Sequence, residues 1–127
     1  MSLPLSDKSG LWIPTSIVES GMERNAVFSS RLGVLYEGDC LDLLPYIKSD
    51  SINTVFADPP FNLAKEYGIQ VNDCRPDDEY LAWCKRWLDH CVRILKPGGA
   101  LFVYNLPKWN IHLGSYLVES RMMFRHW

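Results

Sequence analysis

The chain has 127 residues, of which 47% are hydrophobic and 22% charged, and its formal net charge is −2 with a pI near 5.9. That length allows one domain with a core of its own, and the balance is that of an ordinary globular protein rather than of a strongly basic nucleic-acid binder. No apolar run approaches the ~20 residues that a membrane span needs, and neither the four cysteines nor His90, His112 and His126 fall at metal-ligand spacing, so neither a membrane nor a metal is expected as a partner.

Residues 1–30 lack a clear apolar period and read as an N-terminal arm with one short helical turn. Met1 to Lys8 do not form a signal peptide, and free thiols suit a reducing compartment, so the cytoplasm is the expected location. Gly33 to Glu37 reads as a short strand that ends at Gly38-Asp39. Leu41, Leu43 and Leu44 suggest a brief helix, interrupted near Pro45. Ile52 to Ala57 is an apolar run of strand length, closed by Asp58-Pro59-Pro60-Phe61.

Residues 62–75 read as a long loop of the length used for binding. Pro76 suits a first helical position, and Asp77, Asp78 and Glu79 favour the positive end of a helix dipole. Leu81, Cys84, Leu88, Cys91, Val92 and Leu95 then recur at helical spacing. Cys84 and Cys91 share one face and read as small core residues. Lys96-Pro97-Gly98-Gly99 is expected to stop the helix, with glycine as its cap. Ala100 to Tyr104 reads as a strand, residues 109–120 as a helix, and Met122-Met123-Phe124 as the start of a further strand. Alternating strands and helices predict an α/β chain, a partial Rossmann-like fold with a mostly parallel sheet and flanking helices. There is no glycine-rich phosphate loop.

Charge is unevenly spread: residues 1–63 carry four basic and eight acidic side chains, residues 64–127 nine and seven. A mildly basic half is most often a solvated surface and gives weak support for an acidic partner. Five Trp, six Tyr and five Phe provide core filling or stacking faces.

The tetrapeptide Asp58-Pro59-Pro60-Phe61 carries the chemistry. It follows an apolar strand, and ligands of open α/β sheets bind beyond the carboxyl ends of strands. The exocyclic amino group of a nucleobase is a poor nucleophile because its lone pair is delocalised into the ring. A carboxylate accepting one N–H and a backbone carbonyl accepting the other would localise that lone pair. Consecutive prolines, with fixed φ and no N–H, hold the carbonyls stiffly, and Phe61 offers a stacking face for a base taken out of its helix.

Together with Gly38 to Leu44 before it and Arg93 to Leu101 after it, this tetrapeptide resembles the amino-methylating (N6-adenine/N4-cytosine) DNA methyltransferases in their permuted, beta-class order, over residues 33–110. The resemblance implies an S-adenosylmethionine-dependent methyltransferase fold, S-adenosylmethionine as cofactor, DNA as partner and a restriction-modification setting. It implies that Asp58 and the Pro59 carbonyl take the amino hydrogens, that Pro60 stiffens the turn and that Phe61 stacks on the flipped base. Asp39 and Cys40, with Asp58, would bind the cofactor. An acidic first residue favours adenine N6, with cytosine N4 open. The family's Phe-x-Gly-x-Gly loop occurs nowhere in the chain. Residues 31–127 are therefore expected to be the catalytic half of a methyltransferase domain, truncated before its target-recognition region and glycine-rich loop and inactive alone. The competing readings are a non-catalytic remnant or subunit needing a complementary chain or a second copy, and a methyltransferase acting on RNA or on protein glutamine.

Overall fold

The computed structural model describes residues 13–22, 26–64 and 73–127. Val18 N–H bonds to the Pro14 carbonyl at 2.9 Å, which is the short helical turn expected near the amino terminus. This segment is stitched to the body rather than detached from it. Glu19 N–H donates to Tyr46 O at 2.7 Å, Lys48 N–H to Ile17 O at 2.8 Å, and Val18 and Met22 are buried. Residues 1–12 and 23–25 of the expected arm lie outside the described residues.

Strand β1 (Ala26–Ser30) pairs antiparallel with β2 (Gly33–Tyr36), and Ser30 stands opposite Gly33 across the Arg31-Leu32 turn. The end of the expected arm is thus one strand of a hairpin. A five-residue run with a register slip between Ala26 and Phe28 carries too little alternation to be read as a strand. Helix α1 (Cys40–Leu43) runs into a 3-10 turn at Leu44–Tyr46, with Pro45 at its start.

Strand β3 (Ile52–Ala57) pairs in parallel with β4 (Leu95–Val103), and the chain between them includes helix α2 (Asp77–Ile94). Among the described residues there are two two-stranded sheets, one antiparallel and one parallel. The α/β class holds, and of the expected mostly parallel Rossmann-like sheet the described residues contain one parallel pair, β3–β4. β2 turns back on β1, its local neighbour, instead of joining β3. A hairpin joined by a two-residue turn needs no crossover, whereas parallel pairing does.

Pro76 is the N-cap of α2 rather than its first residue, and its carbonyl accepts Tyr80 N–H at 2.9 Å. The helix buries Tyr80, Cys84, Trp87, Leu88, Cys91 and Ile94 in one stripe. That stripe forms the core with Trp109 and Leu113 of helix α3 (Pro107–Glu119); Val55, Ala57, Leu101 and Val103 pack on it from the sheet, and Leu41 and Leu44 from α1 and the turn after it.

Two sequence expectations fail at the ends of these helices. α2 stops at Ile94, and Leu95 is already extended (φ −71°, ψ 133°), so Lys96-Pro97-Gly98-Gly99 is not a helix cap. It is a bulge inside β4, where pairing jumps from Ile52–Leu95 to Thr54–Ala100. Gly98 takes φ +80°, and a Cβ on Gly99 would lie 3.0 Å from Asn53 O. The second concerns Met122-Met123-Phe124, which is not a strand. Arg121 (φ 68°) ends α3 with Met122 N–H bonded to Leu117 O at 3.1 Å and Arg121 N–H to Val118 O at 3.3 Å. This paired cap turns the chain back on the helix, and Trp127 comes to lie beside Gly114.

Among the described residues only one face of the β3–β4 pair is covered. Phe56 and Phe102 stand opposite each other on the outer face and are 70% and 56% exposed. No helix of the described residues is long and apolar enough to cross a membrane.

Candidate active site

Asp58 to Phe61 leave β3 at its carboxyl end, beside the carboxyl end of β4. Tyr104 N–H still donates to Ala57 O at 2.9 Å, so the parallel ladder runs up to the turn. Asp58 is exposed, and Pro59, Pro60 and Phe61 are half-buried. The apolar alternation of β3 explains this: Val55 and Ala57 face the core, which places Asp58 at the first position beyond the sheet.

The backbone after Pro59 is held on several sides. Tyr80 Oη–H donates to Pro60 O at 2.6 Å, and Asn105 Nδ2 donates to Tyr80 Oη at 2.9 Å. Trp109 Nε1–H donates to Phe61 O at 2.8 Å. The Asp73 carboxylate accepts Asn62 N–H at 2.7 Å on one oxygen and Leu63 N–H at 3.0 Å on the other. Asn62 and Arg75 exchange two bonds, Asn62 Nδ2 to Arg75 O at 2.8 Å and Arg75 N–H to Asn62 Oδ1 at 2.7 Å. Asn62 and Ala64 are left-handed (φ 59° and 56°), a conformation that an alanine adopts only when its surroundings enforce it. The expected loop 62–75 therefore has a pinned stem; its residues 65–72 lie outside the described residues.

Asp39 and Cys40 sit on another segment. Asp39 caps α1, accepting Leu41 N–H on Oδ1 at 2.8 Å, and its side chain is exposed. The Cys40 thiol is pushed above its ordinary pKa by burial and then by the charge of Asp39, so it stays protonated at neutral pH. α1 packs on the same core as β3, which ties both segments to one body. Burial raises the pKa of Tyr80 well above that of an exposed phenol, and raises Cys84 and Cys91 to about 11. Among the described residues no group of three metal-binding side chains comes together.

Sequence reading missed Tyr80, Asn105, Trp109 and Asp73. Tyr80 directly precedes the amphipathic stripe that begins at Leu81 and carries no mark of a site there. Nothing in the spacing of 60, 61, 80, 105 and 109 announces that they meet, because the meeting is made by the parallel pairing of β3 with β4.

Residues 52–125 match the family model described as DNA methylase, and the chain belongs to the amino-methylating DNA methyltransferases. It is 50% identical over 100 residues to the type II methyltransferase M.BamHI of Bacillus amyloliquefaciens, a match covering 79% of this chain and 23% of that protein. To the type II methyltransferase M.BglII of Bacillus subtilis it is 35% identical over 89 residues, 70% of this chain and 21% of the relative. To the DNA adenine methyltransferase YhdJ of Escherichia coli (strain K12) it is 28% identical over 78 residues, 61% of this chain and 26% of the relative. The chain thus spans about a quarter of the length of these curated relatives. No solved structure matches it.

Proposed function

We propose that this chain carries the base-binding turn of a site-specific DNA methyltransferase that moves a methyl group from S-adenosylmethionine to adenine N6. The observation that carries the reading is the Asp58-Pro59-Pro60-Phe61 turn, an exposed carboxylate and a half-buried ring at the carboxyl end of a parallel strand pair. Asp58 accepts one amino hydrogen and the Pro59 carbonyl the other. Phe61 stacks on the base. As the nitrogen gains positive charge both hydrogen bonds strengthen, and Asp58 takes the proton that leaves the amino group.

Asp39 and the backbone of Cys40 are the proposed cofactor contacts. An exposed carboxylate at the head of a helix, with one oxygen already oriented by Leu41 N–H, fits a polar ligand end. When bound, S-adenosylmethionine supplies an electrophilic methyl group on a sulfonium, and no covalent enzyme intermediate is needed. The acidic residue at the head of the turn, and the adenine specificity in the name of YhdJ, support adenine over cytosine. The type II names of M.BamHI and M.BglII support a place in a restriction-modification system, and with it the cytoplasm.

The Phe56–Phe102 face, uncovered by the described residues, favours a further reading, that this unit acts with more protein packed on it, from a longer chain, a complementary chain or a second copy.

Asp58→Ala in the full-length protein is expected to lower methyl transfer about 100-fold or more, the scale of removing one such polar contact. Retention of more than roughly a tenth of the activity would sink the assignment on that same scale. Nucleoside analysis of the methylated DNA separates N6-methyladenine from N4-methylcytosine.

A further inference from the structure

Two of the turn's four carbonyls are already spent on the protein's own donors, which leaves those of Asp58 and Pro59 for a ligand. Pro60 O is bonded to Tyr80 and Phe61 O to Trp109, while Asn62 and Leu63 N–H are bonded to Asp73. We propose that Tyr80, Trp109 and Asp73 are positioning residues of methyl transfer, which lock the turn so that Asp58 and the Pro59 carbonyl are its acceptors for the incoming amino group. This rests on the amino-methylation reading of the same turn.

The donor directions are fixed by the network itself. Leu106 N–H donates to Asn105 Oδ1 at 2.8 Å, so the other end of that amide is the NH2 that faces Tyr80. With Tyr80 Oη accepting from Asn105, its own proton points at Pro60 O. The raised pKa of the buried phenol keeps that proton in place across the neutral range. An indole N–H can only donate, so Trp109 holds Phe61 O in one sense. Tyr80, Trp109 and Asp73 are 2%, 2% and 3% exposed, and the first two rings pack on each other with centroids 4.8 Å apart. α2, α3 and the segment at Asp73 thus grip consecutive residues of one turn. The left-handed Asn62 and Ala64 just beyond it would relax if the grip were loosened.

The role makes a specific kinetic demand. Amino nitrogen activation needs two acceptors at a fixed mutual angle, whereas stacking on Phe61 needs only its ring. Tyr80→Phe and Trp109→Phe, each in the full-length protein and each keeping an aromatic ring, should lower kcat about 10- to 100-fold, the cost of small misplacement at a reacting centre. KM for cofactor and DNA should stay within about twofold, since neither variant removes a binding group. Fluorescence of an oligonucleotide with 2-aminopurine at the target base should still rise on binding, because base capture is intact. Assays run well below each variant's melting temperature keep lost fold apart from lost positioning. Should Tyr80→Phe fail to fold, Asn105→Ser leaves the phenol ring in place while removing the amide that orients its proton and accepts Leu106 N–H, and the same fall in kcat is expected.

Unchanged kcat in Tyr80→Phe and Trp109→Phe, with Asp58→Ala inactive, would overturn the positioning role and leave the amino-methylation reading standing. An active Asp58→Ala would overturn that reading itself. Equal losses in kcat and in 2-aminopurine response would mark these residues as structural supports and also overturn the proposal.

Discussion

The ring of Tyr104 meets the ring of Phe61 edge-on, with centroids 5.5 Å apart and planes at 63°. Tyr104 follows β4 and Phe61 lies just beyond β3, so the parallel pairing brings two aromatic rings to the same rim. Tyr104 is 60% exposed, so part of its ring is open to a ligand at that rim. In the proposed reading, that rim is where the target base would stack on Phe61.

Phe61→Ala is therefore expected to weaken binding of an oligonucleotide with a mismatched target base by the ~1–3 kcal/mol that base–aromatic stacking contributes. Phe61→Trp should be tolerated. Tyr104→Ala should show a smaller loss in the same titration and Tyr104→Phe almost none. Equal affinities for wild type and Phe61→Ala would make that ring a core residue.

Gly99→Ala should destabilise the fold. Its Cβ would meet Lys96 O at 2.9 Å and Asn53 O at 3.0 Å, both backbone atoms of the β3–β4 bulge that cannot swing aside. A cost of about 1–3 kcal/mol is expected, as for overpacking in a tight interior. Gly98→Ala meets open space but sits at φ +80°, so its cost is conformational and about 1–2 kcal/mol. Urea unfolding of both variants beside wild type checks the pair. Wild-type stability in Gly99→Ala would mean that the bulge is not held as described.

This bulge also shows where sequence reading reached its limit. The apolar runs of β3 and α2 and the spacing of Cys84 and Cys91 were legible because one amphipathic stripe determines them. Lys96-Pro97-Gly98-Gly99 was misread as a cap, since proline and glycine signal a break without saying whether helix or strand is broken. β2 is legible as a strand from Gly33, but β1 and its pairing with β2 are not, because the strands are short and their outer residues apolar: Phe28 and Leu35 are exposed where alternation predicts polar side chains. Within the site, Asp58 to Phe61 stood out as a contiguous string. Tyr80, Asn105 and Trp109 did not, because a hydrogen bond to a backbone carbonyl leaves no mark on the sequence of the acceptor.

Thermal stability should fall as pH rises from about 9 to 11. Burial raises the thiols of Cys84 and Cys91 from the ordinary 9.0 to about 11. In the unfolded chain these thiols lose their protons first, so above pH 9 the unfolded state gains and the native state does not. The contribution is complete below pH 9 and gone above pH 11. Replacing both by Ala or Val should flatten the melting profile across that window. An unflattened profile would place the titrating groups elsewhere, Tyr80 first among them. In the native state iodoacetamide should label exposed Cys40 and Cys74 ahead of buried Cys84 and Cys91.

The outer face of β3–β4 leads to a measurement on association. Phe56 and Phe102 form a cross-strand apolar pair without cover from the described residues. Light scattering of the 127-residue chain should report species larger than a monomer, and Phe56→Ser with Phe102→Ser should shift them toward monomer. A wild-type monomer would show that this face is not a self-association surface.

The exchange between Asn62 and Arg75, with Ala64 N–H on Asp73 O at 2.6 Å, has an engineering consequence. It works as a staple across the neck of the loop, fixing where the chain leaves at Ala64 and returns at Asp73. Doubling the length of an insert between them is expected to cost only about 0.6 kcal/mol in closure entropy. A reporter peptide grafted there should therefore leave the Asn62–Arg75 exchange in place, which amide exchange at Asn62 and Arg75 would report.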